Sequence, residues 1–501
     1  MFKPPLTDSV TLWQRICLVV LVTLGIQSVL YYAVWWLEPG HRRNLFFFTF
    51  LTFAIFWGLL RSCIDWFYFL FIRGTPRREA PANLSVDVFM TAMPTEPLAM
   101  FERTLAAAAA LRYPHQTWLL DGGNDPALLA LCEKLGVNHL DCRDIGGAKA
   151  GKINFALSES HGEFVLVLDP DHSADPFFLD KVLGHFADPG VGFVQVVQGY
   201  YNQEESFVAR AGAEQTYGFY GPTMMGMHGL GTPVAIGANC TFRRSALHSI
   251  GGHAVDLAED LLTSLRLHAA GWKSVYVPLR LSLGQTPADL HSYSKQQLKW
   301  SCGMFNVFFR DYLRSVRRMR FANALHYLFA GTYYFDGVAA AITCILPIIF
   351  LLFGLWAVEM ELGEFLLHIT PYALMSTLIG WYTQRWLRHP GEQGFPWRGM
   401  LLLRGTWPVH VLGLVYCLAR TPVPYLPTPK TREQGVFTGL VLPHIAIIGL
   451  SAWAIVHALT TYERFVTGTW LMIFFAATNI VMLLPTVIIA HQGLWRHEGG
   501  E

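Results

Sequence analysis

A chain of 501 residues that is 52% hydrophobic and only 15% charged is too apolar for an ordinary soluble enzyme, yet too interrupted by polar sequence to be all membrane. Its net charge of +1 gives no field that would gather nucleic acid, so that partner is not expected and any basic patch is local, as at Arg310 to Arg320. Eight cysteines lie scattered without a C-x-x-C pair, several in apolar stretches (Cys17, Cys63, Cys344, Cys417), which argues against both a zinc site and a disulfide framework.

In chain order, Leu12 to Trp36 and Leu45 to Ile72 each hold roughly 20 or more mainly apolar residues, enough to cross a hydrocarbon core about 30 Å thick. They predict an entry hairpin over residues 1–75, and the first is long enough to stay as an anchor, so no cleaved signal peptide is expected. From residue 76 to about 303 the character changes. Short β-rich runs (Val86 to Met90, Thr117 to Leu120, Phe164 to Leu168, Gly192 to Val197) alternate with helical stretches such as Leu98 to Leu111, the pattern of an α/β domain with a largely parallel sheet.

Residues 304–501 supply four more apolar spans, near Tyr333 to Trp356, Phe365 to Trp386, Phe437 to Leu459 and Thr469 to Ala490. Arg73, Arg77 and Arg78 follow the second span and Arg385 and Arg388 the fourth, whereas Glu359, Glu361 and Glu364 lie between spans three and four. This places the α/β domain and both termini in the cytoplasm, with Arg42 and Arg43 dissenting. Phe305 to Phe321 mixes Phe305, Phe308, Phe309, Leu313 and Val316 with five arginines, an amphipathic pattern suited to the membrane surface. Met400 to Leu418 could span, but doing so would put Lys430 and Arg432 across the membrane from Arg385, so an interfacial helix is expected.

Three groups of residues could carry chemistry. Asp169-Pro170-Asp171 ends the apolar run Phe164 to Leu168, where a buried strand gives way to a loop, and two such carboxylates suit a hard divalent cation, magnesium or manganese, with its bound phosphates; His172 follows them. Taken alone, the same pair could be a solvated loop or a helix cap. Glu259-Asp260 opens a helical stretch, where an acidic pair could serve only to complement the helix dipole. Gln296 to Trp300 offers an aromatic face and, at Lys299, a cation.

In series these resemble the D-x-D, T/E-E-D and Q-x-x-R-W motifs of membrane-embedded family-2 glycosyltransferases, closest to the bacterial cellulose synthase catalytic subunit. Further matches are Val86 to Phe89 with Glu96-Pro97, Asp121-Gly122-Gly123, Gly147 to Gly151, Phe193 to Gln198, Gly237 to Arg244, and Tyr425 to Lys430, which is similar to that family's gating loop. Leu120 replaces a first aspartate and Lys299 an arginine; lysine lacks the two-pronged fork of arginine. The resemblance implies a GT-A-like (Rossmann-like) α/β domain in the cytoplasm, inserted in a helical transmembrane bundle of about six spans. It further implies Asp260 as general base, a nucleotide-sugar site at Glu96, Asp121, Lys149, Asp169 and Lys299, and a metal held by Asp169 and Asp171. Acceptor contacts would fall to Gln195, Gln198, Glu259 and Trp300, and gating to Tyr425, Thr428 and Lys430.

The expected function is therefore an inverting, processive transferase in the inner membrane. It would draw on UDP-glucose or a related UDP-sugar to extend a β-linked polysaccharide and pass it through its own spans, among membrane lipids and with accessory export subunits. A cyclic-di-GMP-sensing domain is not expected after the last span. Two alternatives stand beside this reading: transfer of one sugar to a lipid carrier, and a catalytically inactive scaffold or transporter partner.

Overall fold

A computed structural model describes residues 10–94, 96–423, 429–430, 432–433, 435–461 and 468–492. Ten strands lie between the second and third apolar helices: β1 Val86–Ala92, β2 Gln116–Asp121, β3 Asn138–Asp141, β4 Phe164–Leu168, β5 Ser173–Ala174, β6 Val191–Val196, β7 Gly199–Tyr200, β8 Cys240–Arg243, β9 Lys273–Val277 and β10 Ser282–Gly284. Seven form one sheet in the order β3-β2-β1-β4-β8-β6-β9. Strands β3, β2, β1 and β4 run parallel, β8 runs against both its neighbours, and β6 and β9 are parallel again. This is the GT-A-like mixed sheet that the motif order implies.

The sequence explains why the sheet is covered on both faces. Every residue of β1 and β4 is buried, so neither strand alternates apolar with polar. Val88 and Met90 of β1 and Leu166 of β4 pack with Phe101 and Leu105 of helix Leu98–Ala109 on one face. Phe89, Val165 and Val167 pack with Ile153 and Leu157 of helix Ala148–Glu159 on the other. The carboxyl ends of β1, β2 and β4 therefore open along one edge, where an open α/β sheet binds its ligand. A second sheet, β5-β10-β7, lies beyond β4 in the chain and brings residues 282–285 beside Asp171.

Among the described residues, six helical segments are long and apolar enough to cross a membrane: Leu12–Trp36, Leu45–Leu70, Phe321–Phe353, Leu362–Trp386, Thr438–Thr461 and Thr469–Ala490. The third begins twelve residues earlier than the sequence pattern suggests, because helix Phe321–Gly331 and the turn Tyr333–Phe335 lead into helix Asp336–Phe353.

Two expectations need correction. Met400 to Leu418 is not one interfacial helix. It is a pair, Trp397–Gly405 and Trp407–Leu418, bent by 44°, and Pro408 at the start of the second helix lacks the amide that would bond back across the break. Phe305 to Phe321 is not a separate element either, although its arginines are exposed as the amphipathic pattern leads one to expect. Helix Leu290–Asn306, capped by Asp289 accepting from the Ser292 amide at 2.8 Å, continues through the π-helical turn Val307–Tyr312 into Leu313–Ser315. Phe305 is fully buried, against Phe335 at a ring distance of 5.3 Å.

Candidate active site

The turn after β4 gathers three donors. Side-chain atoms of Asp169, Asp171 and His172 able to bind a metal all lie within 4.8 Å of one another. Asp171 Oδ1 is 3.2 Å from His172 Nδ1 and 3.2 Å from Lys430 Nζ, while Oδ2 accepts from the Gln285 amide at 2.8 Å. Asp169 Oδ1 accepts from Lys149 Nζ. The two ammoniums and His172 overcome burial and hold both carboxyls below the usual carboxylate range. His172 is 1% exposed and its Nε2 has no hydrogen-bond partner. Two carboxylates and an imidazole whose metal-binding atoms lie this close are a donor set that fits a divalent cation.

Lys149 links this turn to the second acidic pair. Besides Asp169 it donates to the Gly237 carbonyl, and burial, which would lower its pKa, is outweighed by Asp169, Glu259 and Asp260. Gly237 has φ +82°, and a Cβ there would sit 3.3 Å from Asp260 Oδ2 and 3.9 Å from Lys149 Nζ. The glycine thus meets both a backbone and a space requirement between the two groups. Asp260 lies in the first turn of helix Glu259–Ala269, where its Oδ1 accepts from the Leu261 amide at 2.7 Å. Burial raises the Asp260 carboxyl. Burial and the Asp260 charge push Glu259 up to about 7, opposed by Lys149 and Lys299. Burial lowers the Lys299 ammonium, with Glu259 and Asp169 opposing.

The remaining predicted residues divide. Glu96 accepts from the Met93 amide at 2.9 Å, and burial pushes it up to about 7 despite that bond and Lys430. Asp121 is 1% exposed and accepts from the Gly123 amide at 2.8 Å, the Asp125 amide at 2.7 Å and His139 Nε2 at 3.0 Å, so its oxygens shape the turn. Gln195 is fully buried; its amide nitrogen donates to the carbonyls of Val196 and Ala238, each at 2.9 Å, and Asn239 at 3.1 Å, and its oxygen accepts from Ile236 at 3.1 Å. That network leaves the Gln195 amide no group for an acceptor and makes it the brace of the Gly237 loop. Gln198 accepts from Tyr220 Oη at 3.1 Å and lines a small polar cavity with Gln203, Tyr217 and Arg280. Trp300, 39% exposed, stands on helix Leu290–Asn306 one residue after Lys299.

Tyr425 and Thr428 lie outside the described residues. Lys430 reaches Asp171, and three residues on Glu433 docks that segment: its carboxylate meets His291 Nδ1 at 2.5 Å and Lys295 Nζ at 3.5 Å, and its amide donates to Asp289 at 3.1 Å. Sequence reasoning passed over Lys152, one helical turn after Lys149, whose ammonium donates to the Ala92 carbonyl at 2.6 Å. A Cβ on Gly122 would fall 2.1 Å from that nitrogen. The i, i+3 spacing of two lysines at the start of helix Ala148–Glu159 was the available signal.

Known proteins resemble this chain in sequence and in fold. The family described as Glycosyl transferase family group 2 matches residues 164–485. Among curated proteins, the cellulose synthase catalytic subunit [UDP-forming] of Pseudomonas fluorescens (strain SBW25) is 26% identical over 75% of this chain and 53% of its own length. The subunit of the same description from Xanthomonas axonopodis pv. citri (strain 306) is 29% identical over 51% of this chain and 36% of its own. The chain thus spans about half or less of these relatives. Among solved structures, the mannosyltransferase PcManGT from Pyrobaculum calidifontis, in complex with GDP-Man and Mn2+, superposes with a TM-score of 0.50 at 15% identity, covering 74% of this chain and all of that one. That likeness is one of fold.

Proposed function

Because the chain belongs to the family-2 group of glycosyltransferases, we propose that it is an inverting, processive synthase that extends a β-linked polysaccharide from a UDP-sugar, UDP-glucose first. The observation that carries the reading is the placement of Asp260 across Gly237 from Lys149, which in turn holds Asp169 of the D-x-D turn. In this reading the base and the diphosphate site meet at Gly237, whose Cβ position lies within 4 Å of both Asp260 and Lys149.

In this reading the donor's diphosphate lies over the D-x-D turn, with Lys149 and Lys299 as its cationic neighbours. Asp169, Asp171 and His172 would hold a magnesium or manganese ion, which supplies charge neutralisation for the departing diphosphate. Asp260 accepts the proton of the acceptor hydroxyl as that oxygen attacks the anomeric carbon from the side away from the diphosphate. A burial-raised carboxyl is a better match for that task than an ordinary one. Trp300 gives the acceptor sugar an aromatic face, Gln198 and Glu259 are its polar neighbours, and Glu96 lies on the nucleotide side. The hairpin of residues 1–75 and the elements of residues 304–501 would hold the catalytic residues 76–303 against the cytoplasmic face of the inner membrane. The exit for the polymer would then run through the bundle.

The test is to incubate inverted membrane vesicles containing the full chain with a panel of nucleotide sugars and to analyse the product. A β-linked polymer made from one UDP-sugar supports the reading. A single sugar on lipid favours transfer to a carrier, and donor binding without any transfer favours the scaffold.

A further inference from the structure

The helix that presents Lys299 and Trp300 does not end near the site. Its continuation carries Arg310, Arg314, Arg317 and Arg318, with Arg320 just beyond, all five exposed. Asp311 is the one carboxylate in that stretch; burial raises it, and Arg266, Arg314 and Arg310 surround it. Between the arginines stand exposed apolar side chains: Phe309 at 36%, Leu313 at 58% and Phe321 at 81%. Phe321 is also the first residue of an apolar segment long enough to cross a membrane. Guanidinium groups interleaved with exposed apolar side chains, immediately before such a segment, match the level of a leaflet where phosphate headgroups meet acyl chains. Arginine also suits phosphate better than lysine does, through paired N–H donors.

We propose that this arginine face binds the anionic phospholipid headgroups of the leaflet beneath the α/β sheet, and that its occupancy sets the position of Trp300. The second half rests on Trp300 serving the acceptor; the first half does not. The link is mechanical. Backbone dihedrals stay helical from Asn306 through Val307 and Tyr312 to Leu313, so one rod joins Trp300 to Arg314 over about 20 Å. The π-helical turn within it is clamped by Phe308 stacked on Tyr312 at 5.7 Å and by buried Phe305 against Phe335. A headgroup drawn to Arg310 or Arg314 therefore pulls on the same helix that faces the site.

The experiment reconstitutes the full chain in nanodiscs of phosphatidylcholine, with and without phosphatidylglycerol, and reads retained lipid by native mass spectrometry. Wild type should retain phosphatidylglycerol preferentially, and the triple variant Arg314→Gln/Arg317→Gln/Arg318→Gln should lower that preference about 100-fold, at roughly fivefold per arginine. The triple arginine-to-lysine variant should keep most of it. Equal preference in wild type and the glutamine variant overturns the proposal. If the glutamine variant does not fold, a wild-type preference unchanged by added salt overturns it instead. Inorganic phosphate that displaces the retained lipid from wild type at millimolar levels would mark a phosphate site and also overturn the lipid assignment. Turnover that rises with phosphatidylglycerol in wild type but not in the glutamine variant supports the coupling; lipid preference lost with turnover unchanged removes it. Headgroup preference without transfer from any nucleotide sugar leaves the lipid surface standing and sinks the transferase reading.

Discussion

Glu259→Gln should make the protein more resistant to heat above neutral pH and leave it nearly unchanged in mild acid. Glu259 is 8% exposed in the first turn of its helix, and burial and the charge of Asp260 lift its carboxyl from 4.5 to about 7 against the pull of Lys149 and Lys299. A folded-state value above the unfolded one means that the group's contribution is fully present below about 4.5 and is lost as pH rises through about 7. Lifting a carboxyl that far costs the ionised folded state roughly 3 kcal/mol, an upper figure because Asp260 shares the proton. Glutamine keeps the shape and never ionises, so the penalty disappears. Thermal unfolding of detergent-solubilised protein without nucleotide or metal, at several values between about pH 5 and 8, should show variant and wild type together at the acid end and the variant ahead at the basic end. A constant gap, or a variant that is weaker at the basic end, would refute the assignment of a buried, proton-holding pair.

Four further outcomes follow from the same geometry. Asp260→Asn should lower turnover by about 10²- to 10⁴-fold while donor binding, measured by calorimetry, stays close to wild type; near-normal turnover would show that the base lies elsewhere. Asp169→Ala with Asp171→Ala should remove the metal-dependent part of donor binding, and equal metal-independent binding in both proteins would defeat the cation site. Lys430→Ala, alone or with Thr428→Ala, should lower turnover without changing the product's linkage, whereas a passive connector would leave turnover intact. With limiting enzyme and excess donor, long chains should appear while most acceptor remains unextended; a ladder that lengthens evenly would argue for release after each addition.

Much of this fold is legible in the sequence because burial leaves a local trace. The unbroken apolar run of β4, the long apolar helices, and the carboxylates at the strand's end all fall where the residues themselves point. What could not be read depends on contacts between distant segments. Gln195 looks like an acceptor ligand in a string of six residues, yet its partners Ala238 and Asn239 lie more than forty positions away. Asp121 is held by two turn amides and His139, partners that its own string does not show. The helix through Trp300 appears to end near Phe305 because a π-helical turn shifts the 3.6-residue period of the arginine face that follows. The docking of Glu433 on Asp289, His291 and Lys295 has no sequence signature, since it joins residues about 140 apart.

The charges in the site favour a cation-assisted reaction on grounds separate from any likeness. Five carboxyls, Glu96, Asp169, Asp171, Glu259 and Asp260, face three ammoniums, Lys149, Lys299 and Lys430. Burial pushes Glu96 and Glu259 up to about 7, so near neutrality either can hold a proton; with both protonated, three carboxylates balance three ammoniums. A nucleotide diphosphate adds about two negative charges to a buried space in which unbalanced charge is expensive. A divalent ion would match that addition, and the D-x-D turn with His172 is where candidate ligands are gathered. Lys430 stands at that turn on a segment tethered by Glu433. Its ammonium pairs with Asp171 at 3.2 Å, so a cation bound there and Lys430 would compete for that carboxylate.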